Sequence, residues 1–232
     1  MNKLKTMLCA VFTLMLVSIS TIVQSDSSNF AGPYIGISAA GYGIQLDGTA
    51  KTSPTNSVYE IDEVSVGQVA PVTGFEAGYA IPLGGAFLID IGASMFSGEA
   101  KLDFHHDNAG VGTDTALSPK DVSFTIDGLV NFYIAPTLVL SDTSSLYVKV
   151  GLTEADIGVS GDITTPGNLS GTTWALGTRT VLASGIFIKT EAGYTDYNGI
   201  SVHGKGTNIQ STTSYSAEPT IAFGTVSLGF RF

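Results

Sequence analysis

Hydrophobic and polar residues alternate along most of the chain, and the alternation is clearest over its last eight residues, Thr225 to Phe232. Because successive side chains of a β-strand leave opposite faces of the sheet, this stretch predicts a strand with one apolar and one polar face. Such a strand suits the wall of a barrel in a lipid bilayer, where one face meets acyl chains and the other lines a polar lumen. The predicted apolar face carries Val226, Leu228, Phe230 and Phe232, and the polar face includes Arg231.

The same alternation, interrupted by stretches rich in turn-forming residues, predicts eight strands. They cover residues 33–46, 68–81, 86–104, 121–137, 145–159, 172–182, 186–202 and 220–232. Long connections at 47–67, 105–120, 161–171 and 203–219 alternate with short ones at 82–85, 141–144 and 184–185. Bacterial outer-membrane barrels alternate long extracellular loops with short periplasmic turns in this way. We therefore predict an all-β fold, an eight-stranded antiparallel up-and-down transmembrane β-barrel, that forms one domain over residues 26–232.

The composition of the polar face decides between this barrel and a soluble one. A soluble barrel keeps its apolar residues inside, so its polar face meets water and carries many Lys and Glu residues. Here the polar face carries mostly Gly, Ala, Ser and Thr, which suits a narrow lumen filled by side chains. Its mid-strand charges balance, with Glu76, Asp90, Asp127 and Glu191 against Lys149, Arg179, Lys189 and Arg231. The residues predicted to face lipid include Phe75, Tyr79, Ile89, Ile91, Phe124, Ile126, Val130, Phe132, Val148, Val150, Trp174, Leu176 and Tyr194.

Strand register predicts which of the lumen charges meet. A hairpin centred on the turn near Gly185 would place Arg179 opposite Glu191. Glu76 and Asp90 would lie near each other on the second and third strands, and Lys149 would reach across the lumen to neutralise them. A buried pair of this kind either locks the barrel or acts as a gate that exchanges partners and opens a small conductance.

Residues 1–25 have the features of a cleaved secretory signal peptide. Lys3 and Lys5 precede an apolar segment from Met7 to Val17, and small residues before Asp26 suit a cleavage site after Ser25. The segment is too short and too often interrupted by polar residues for a transmembrane anchor. The single cysteine lies within it, so we expect a mature chain without disulfides.

Charge and motifs exclude several classes of function. The formal net charge of -10 is unfavourable for nucleic acid, whose binding depends on phosphate neutralisation. Asp103, His105, His106 and Asp107 contain metal-ligand residue types, but adjacent histidines on an extended chain point apart, so we expect a solvated loop. Neither His105 nor His203 has the neighbouring serine and orienting acid that hydrolysis needs. We therefore predict no enzyme activity, no metal and no cofactor.

Most of the net negative charge falls outside the lumen. Solubility and mutual repulsion account for these acids, and contact with divalent cations that bridge lipopolysaccharide is a second interpretation. They include Asp47, Glu60, Asp62, Glu63, Asp103, Asp107, Asp114, Asp156, Asp162 and Glu218.

The sequence resembles the eight-stranded outer-membrane barrels grouped as OmpA-like or opacity-protein-like. The resemblance rests on Gly32–Gly36, on the two Glu-Ala-Gly-Tyr units at 76–79 and 191–194, on Thr195–Tyr197, and on Ser227–Phe232. It implies an integral protein of the bacterial outer membrane, monomeric and in contact with lipid and lipopolysaccharide. It also implies that the barrel-insertion machinery recognises the closing strand through Val226, Leu228, Phe230 and Phe232.

Proteins of this group are adhesins, structural proteins, weak pores or unassigned. We therefore expect a porin-like surface antigen with a structural or adhesion role, in which the extracellular loops contact a host or surface ligand. The alternative is a narrow pore for small solutes or ions, gated by the lumen salt bridges that the resemblance also implies.

Overall fold

The computed structural model describes residues 26–52, 57–60, 64–105, 121–161, 163–182, 185–205 and 214–232. The predicted signal peptide at 1–25 lies outside these ranges. The described residues form strands β1 (Gly32–Thr52), β2 (Ser57–Glu60), β3 (Val64–Gly84), β4 (Phe87–Ser97), β5 (Ala100–His105), β6 (Asp121–Val139), β7 (Ser144–Ser160), β8 (Leu169–Val181), β9 (Ile186–Tyr197), β10 (Ile200–His203) and β11 (Ser214–Arg231).

The strands form one antiparallel sheet that closes on itself. β1 pairs with β3 on one side and with β11 on the other, so Tyr34 lies between Gly78 and Arg231. The short strands β2, β5 and β10 are separate from β3, β4 and β9, but each pairs with the same strand as that neighbour. The shared partners are β1, β6 and β11, respectively, so the short strands extend the existing wall. The circuit β1, β3, β4, β6, β7, β8, β9, β11 therefore contains eight strands, and the predicted up-and-down barrel is confirmed.

The strands extend further into the long connections than the alternation predicted. β1 continues to Thr52 and β11 begins at Ser214, and the two remain paired through Asp47 with Glu218 and Lys51 with Ser214. The sequence signal ends earlier because alternation marks only the part of a strand that has one apolar face. One predicted strand, 86–104, is interrupted at Gly98 and Glu99, between β4 and β5.

A β-bulge at Gly128 reverses the faces of the outer part of β6. Gly128 has a φ of 58°, and the pairing with β7 shifts register between Asp127 and Val130. One extra residue moves every side chain before it to the other face. Ile126 is therefore buried inside and Asp127 is exposed outside, so the predictions that placed Ile126 against lipid and Asp127 in the lumen are wrong.

Large apolar side chains are exposed on the outer wall. Phe75, Tyr79, Ile91, Phe132 and Leu176 are all about half exposed or more, as the alternation predicted. The closing strand repeats the pattern, with exposed Val226, Leu228, Phe230 and Phe232. An apolar outer wall on a barrel is the surface that a lipid environment requires.

A short 3₁₀ helix at Ser27–Phe30 precedes β1. No helix in these ranges has the length and apolarity to cross a membrane.

Inward-facing aromatic rings lie against glycines on neighbouring strands. A side chain at Gly78, Gly92, Gly177 or Gly229 would overlap the directly paired ring of Tyr34, Tyr133, Tyr147 or Phe187, respectively. The arrangement recurs towards the long connections, where Phe96 lies against Gly74 and Phe223 against Gly193. Part of the chain's high glycine content is thus explained, because a narrow lumen holds these rings only where the opposite residue has no side chain.

We expect Gly177→Ala to lower the free energy of unfolding by about 1–3 kcal/mol, the usual effect of overpacking a filled interior. The added Cβ would overlap the Tyr147 ring and the Thr190 carbonyl oxygen. Urea unfolding of the protein refolded into lipid vesicles measures the difference. Gly224→Ala is the matched control, because no heavy atom lies within 4 Å of the added Cβ there. Equal losses in the two variants would contradict the ring-on-glycine packing.

Candidate functional site

Three ion pairs cross the middle of the barrel interior. Arg179 Nη2 lies 2.6 Å from Asp90 Oδ1, and Lys189 Nζ lies 2.6 Å from Glu76 Oε2. Lys149 Nζ lies 2.5 Å from Glu191 Oε1. None of the six side chains is more than 7% exposed, so the charges have little access to water. With three acids and three bases, the group is electrically neutral.

The structure places these six predicted lumen charges inside, but it pairs them differently from the prediction. Arg179 is the direct register partner of Lys189, while Glu191 lies opposite Gly177. The β8–β9 hairpin is therefore centred about one residue earlier than the turn signal indicated. Two bases on adjacent strands cannot pair with each other, so Arg179 reaches Asp90 on β4. The prediction that Lys149 neutralises Glu76 and Asp90 is therefore wrong, because Lys149 binds Glu191.

Hydroxyl groups support each buried carboxylate. Thr137 donates to Asp90 Oδ2 over 2.7 Å, and Tyr147 donates to Glu191 Oε2 over 3.1 Å. Tyr133 donates to Glu76 Oε2 over 3.5 Å, a longer contact. Each acid thus has a base and a second donor, as charges in a water-poor interior require.

Aromatic rings lie beside the bases. The guanidinium carbon of Arg179 is 4.7 Å from the centre of the Tyr34 ring, and Lys149 Nζ is 4.8 Å from the centre of the Tyr133 ring. These are distances at which a ring face attracts a cation. Ion pairs and rings together fill the middle of the lumen.

The 3₁₀ helix closes the end of the barrel that carries the short turns. Phe30 is fully buried and packs in an apolar cluster with Tyr34, Ala80, Leu88, Val139 and Phe187. The backbone nitrogen of Ser27 donates to the Gly85 carbonyl oxygen, and the Asn29 amide donates to the Asp142 carbonyl oxygen. The segment therefore acts as a plug attached to two of the turns.

Asp26 caps this plug. Its carboxylate accepts a hydrogen bond of 2.9 Å from the backbone nitrogen of Ser28, which lowers the pKa of the exposed carboxyl group. The alternation predicts no element before residue 33, so this plug is a feature that the sequence pattern did not predict. The available signal was a lone aromatic residue, Phe30, within a polar segment.

Arg231 lies at the rim beside the plug, away from the mid-barrel charges to which the prediction assigned it. Its Nη1 donates to the carbonyl oxygens of Ser28 and Ala31 over 3.2 and 2.9 Å. Arg231 thus holds the plug by its backbone, and among the described residues no acid forms an ion pair with it.

A row of polar side chains separates the ion pairs from the long-connection end. Asn131 Nδ2 donates to Thr153 Oγ1 over 2.7 Å, the Thr153 and Thr173 hydroxyls share a hydrogen bond, and Thr173 and Thr195 share another of 2.7 Å. Beyond the row lies an apolar cluster of Ala40, Tyr42, Ile44, Ala70, Val72, Ile126, Leu129, Ala155, Leu169, Tyr197 and Ile221. This cluster differs from the prediction of a lumen lined mostly by Gly, Ala, Ser and Thr. The interior is thus filled in layers, with apolar side chains at both ends and charges between them.

The outer wall near the long connections is acidic. Within the described residues, exposed acids there are Glu99, Asp127, Glu154, Asp156, Asp196 and Glu218, and exposed lysines are Lys101 and Lys205. Asp127 and Asp156 are direct register partners across the bulge.

The residues considered for metal binding or catalysis do not form a site in the part of the chain that the structure describes. His203 is exposed in β10, and the side chains of Asp103 and His105 are not among those described. His106 and Asp107 lie outside the described residues. Within those residues, no group of three or more His, Cys, Asp or Glu side chains could hold a metal ion.

Comparison with known proteins agrees with this architecture. The family model of the outer membrane protein beta-barrel domain matches residues 10–230. No curated protein sequence matches the chain. The outer membrane protein OprG from Pseudomonas aeruginosa is similar in fold, with a TM-score of 0.51, 10% identity, and coverage of 87% of this chain and 97% of OprG.

Two other solved structures show a weaker likeness. The attachment invasion locus protein Ail of Yersinia pestis has 13% identity and a TM-score of 0.42, over 87% of this chain and 99% of Ail. Neisserial surface protein A has 10% identity and a TM-score of 0.45, over 87% of this chain and 98% of that protein. At these identities, the comparison with OprG concerns the fold alone.

Proposed function

The chain belongs to the outer membrane protein beta-barrel domain family, and from this premise we propose that it is a closed surface barrel of the bacterial outer membrane. Its structural or adhesion role is carried by the long extracellular connections and by the outer wall next to them. The proposal includes a signal peptide at 1–25, a monomer in lipid and lipopolysaccharide, and insertion through the closing strand. It includes no catalytic activity and no cofactor.

The filled interior carries this proposal. A solute that entered from the short-turn side would first meet the plug of Ser27–Phe30, whose Phe30 side chain is fully buried. It would next meet three ion pairs with contacts of 2.5 to 2.6 Å. It would finally meet the apolar cluster around Tyr42 and Ile221, which excludes water from the other end.

These layers favour a surface role over the narrow pore. Opening a path would require the plug to leave, the ion pairs to separate and the apolar cluster to reorganise. Breaking buried ion pairs without new partners is costly, because each charge would remain unpaired in a water-poor interior. The ion pairs therefore favour a lock over a gate.

The acidic outer wall near the long connections suggests the charge of a partner. Six exposed acids against two exposed lysines, among the described residues of the outer strands, favour a partner surface with basic groups. Binding to such a surface weakens with salt, because exposed charges are screened.

Bilayer recording tests the proposal. We expect protein refolded into a planar bilayer to give no discrete conductance steps, and heat-modifiable gel migration verifies that the inserted protein is folded. Reproducible steps from folded protein, lost in Arg179→Ala, would contradict a closed barrel and support the pore.

A second experiment tests the adhesion role, and in it cells that display the protein are applied to a cultured epithelial layer. Replacing residues 106–120 with a short Gly-Ser linker should reduce adherence, and unchanged adherence would argue against a role for that connection.

A further inference from the structure

The lumen contains a small cavity between the ion pairs and the apolar cluster. Its volume is about 20 Å³. A cavity holds a water molecule when the volume open to it exceeds roughly 10–15 Å³ and two to four polar partners are present. The lining is polar on one side, which includes Ser94, Asn131, Lys149 and Glu191, and mainly apolar on the other, which includes Tyr42 and Ile221.

Two polar atoms of this lining have no hydrogen-bond partner in the protein. They are Ser94 Oγ and Asn131 Oδ1. Ser94 is 3% exposed and Asn131 is 6% exposed, so bulk water does not reach them. Burying a polar group without a partner lowers stability, and native interiors rarely leave such groups unsatisfied. Two of them at one cavity indicate a ligand that forms hydrogen bonds.

The hydrogen bonds of the neighbouring side chains leave Ser94 Oγ and Asn131 Oδ1 without a partner. Asn131 uses its Nδ2 group to donate to Thr153, which leaves Oδ1 as an acceptor. The Thr173 hydroxyl is shared with Thr153 and with Thr195. Lys149 uses part of its ammonium group for Glu191, and it retains hydrogens that can be donated to a ligand in the cavity.

We propose that the cavity binds one ordered water molecule, which donates to Asn131 Oδ1, accepts from Lys149 Nζ and shares a hydrogen bond with Ser94 Oγ. A water molecule both donates and accepts, so it satisfies an amide oxygen, a hydroxyl and an ammonium group together. It connects the ion-paired layer to the row of threonines, and the two layers become one hydrogen-bonded network.

The lining disfavours other ligands of this size. Lys149 and Glu191 form an ion pair and neutralise each other, so the lining offers no net charge to hold a cation or an anion. A volume of about 20 Å³ leaves no room for a larger polar molecule. The pair of opposite charges therefore selects a neutral molecule.

Ser94→Ala tests the water by the sign of its effect on stability. If water is bound, the variant removes one of its hydrogen bonds, and we expect the urea midpoint of the protein in lipid vesicles to fall. If the cavity is dry, the variant removes an unsatisfied buried hydroxyl, and the midpoint should rise or stay unchanged; either result would overturn the proposal. Ser38→Ala is the matched control, because Ser38 shares a direct hydrogen bond of 2.8 Å with Ser227 in the same lumen.

A crystal structure of the wild-type protein provides a second measurement that does not depend on the variant. We expect one density peak about 2.7–3.2 Å from both Ser94 Oγ and Asn131 Oδ1. An empty cavity in a map that shows other buried waters would refute the water. A bromide soak that gives an anomalous peak there would also refute it, since the ligand would then be an anion.

Discussion

Arg179→Met is expected to lower the free energy of unfolding by about 3–5 kcal/mol, the usual loss when one partner of a buried ion pair is removed. Asp90 is 1% exposed and, among the described residues, would keep the Thr137 hydroxyl as its one side-chain donor. The loss therefore arises mainly from an unpaired carboxylate in a water-poor interior. Urea unfolding in lipid vesicles, followed through the single tryptophan, Trp174, measures it.

The double variant Arg179→Met with Asp90→Leu distinguishes pairing from packing. Replacing both members of a buried ion pair with apolar residues is often close to neutral, so we expect much of the lost stability to return. Arg231→Met provides a matched control beside the plug. In the part of the chain that the structure describes, its guanidinium donates to two backbone carbonyl oxygens and to no carboxylate, so a smaller loss is expected there. If the single and double variants are equally unstable, the ion pair is not the source of the loss.

Phe30→Ala is expected to lower the free energy of unfolding by about 3–5 kcal/mol, the usual range for a fully buried phenylalanine. The side chain fills the space between Tyr34, Leu88 and Phe187. Its loss removes the apolar contacts that hold the plug in the short-turn end. The hydrogen bonds that Ser27, Asn29 and Arg231 form remain, but they do not replace the buried apolar contact.

Hydrogen exchange separates undocking of the plug from general destabilisation. In Phe30→Ala, the amides of residues 27–31 should exchange faster while those of the mid-barrel strands stay protected. Phe132→Ala is the control, since Phe132 is 64% exposed on the outer wall, and it should leave exchange in the plug unchanged. Unchanged exchange in the plug of Phe30→Ala would show that Phe30 does not anchor this segment.

Alternation predicted the fold because it reports which side chains share a face. It yielded the strand count and the closed barrel, and it identified Glu76, Asp90, Lys149, Arg179, Lys189 and Glu191 as inward-facing. Parity counting fails wherever a residue is inserted, and the bulge at Gly128 moved Asp127 outside for that reason. No feature of the sequence around Gly128 distinguished a bulge from an ordinary strand glycine.

The ion-pair partners could not be predicted from strand register. Register describes adjacent strands, whereas Arg179 and Asp90 lie on β8 and β4, which are not adjacent in the sheet. Such contacts depend on the lumen diameter and on side-chain length. The apolar cluster at the long-connection end could have been predicted, because Tyr42 and Ile44 have the same parity as the inward-facing Tyr34. The cluster was not predicted because the inner face was interpreted as polar along its whole length. An eight-stranded interior must, however, be packed like a core.

The rings that lie against glycines also specify which residues pair between strands. A tight turn fixes the register of a hairpin, but a long connection does not. The four strand pairs joined by long connections are β1 with β3, β4 with β6, β7 with β8 and β9 with β11. Each contains a ring directly paired with a glycine, namely Tyr34 with Gly78, Tyr133 with Gly92, Tyr147 with Gly177 and Phe187 with Gly229.

A slip of one residue along any of these four pairs would turn the ring to the opposite face. A slip of two in either direction would bring the ring against a residue with a side chain in all four pairs. Backbone hydrogen bonds form equally well in the shifted arrangements, so they do not distinguish the correct register from a shifted one. The rings and glycines therefore give the chain a means of selecting the correct alignment during assembly, at the places where the loops leave alignment open.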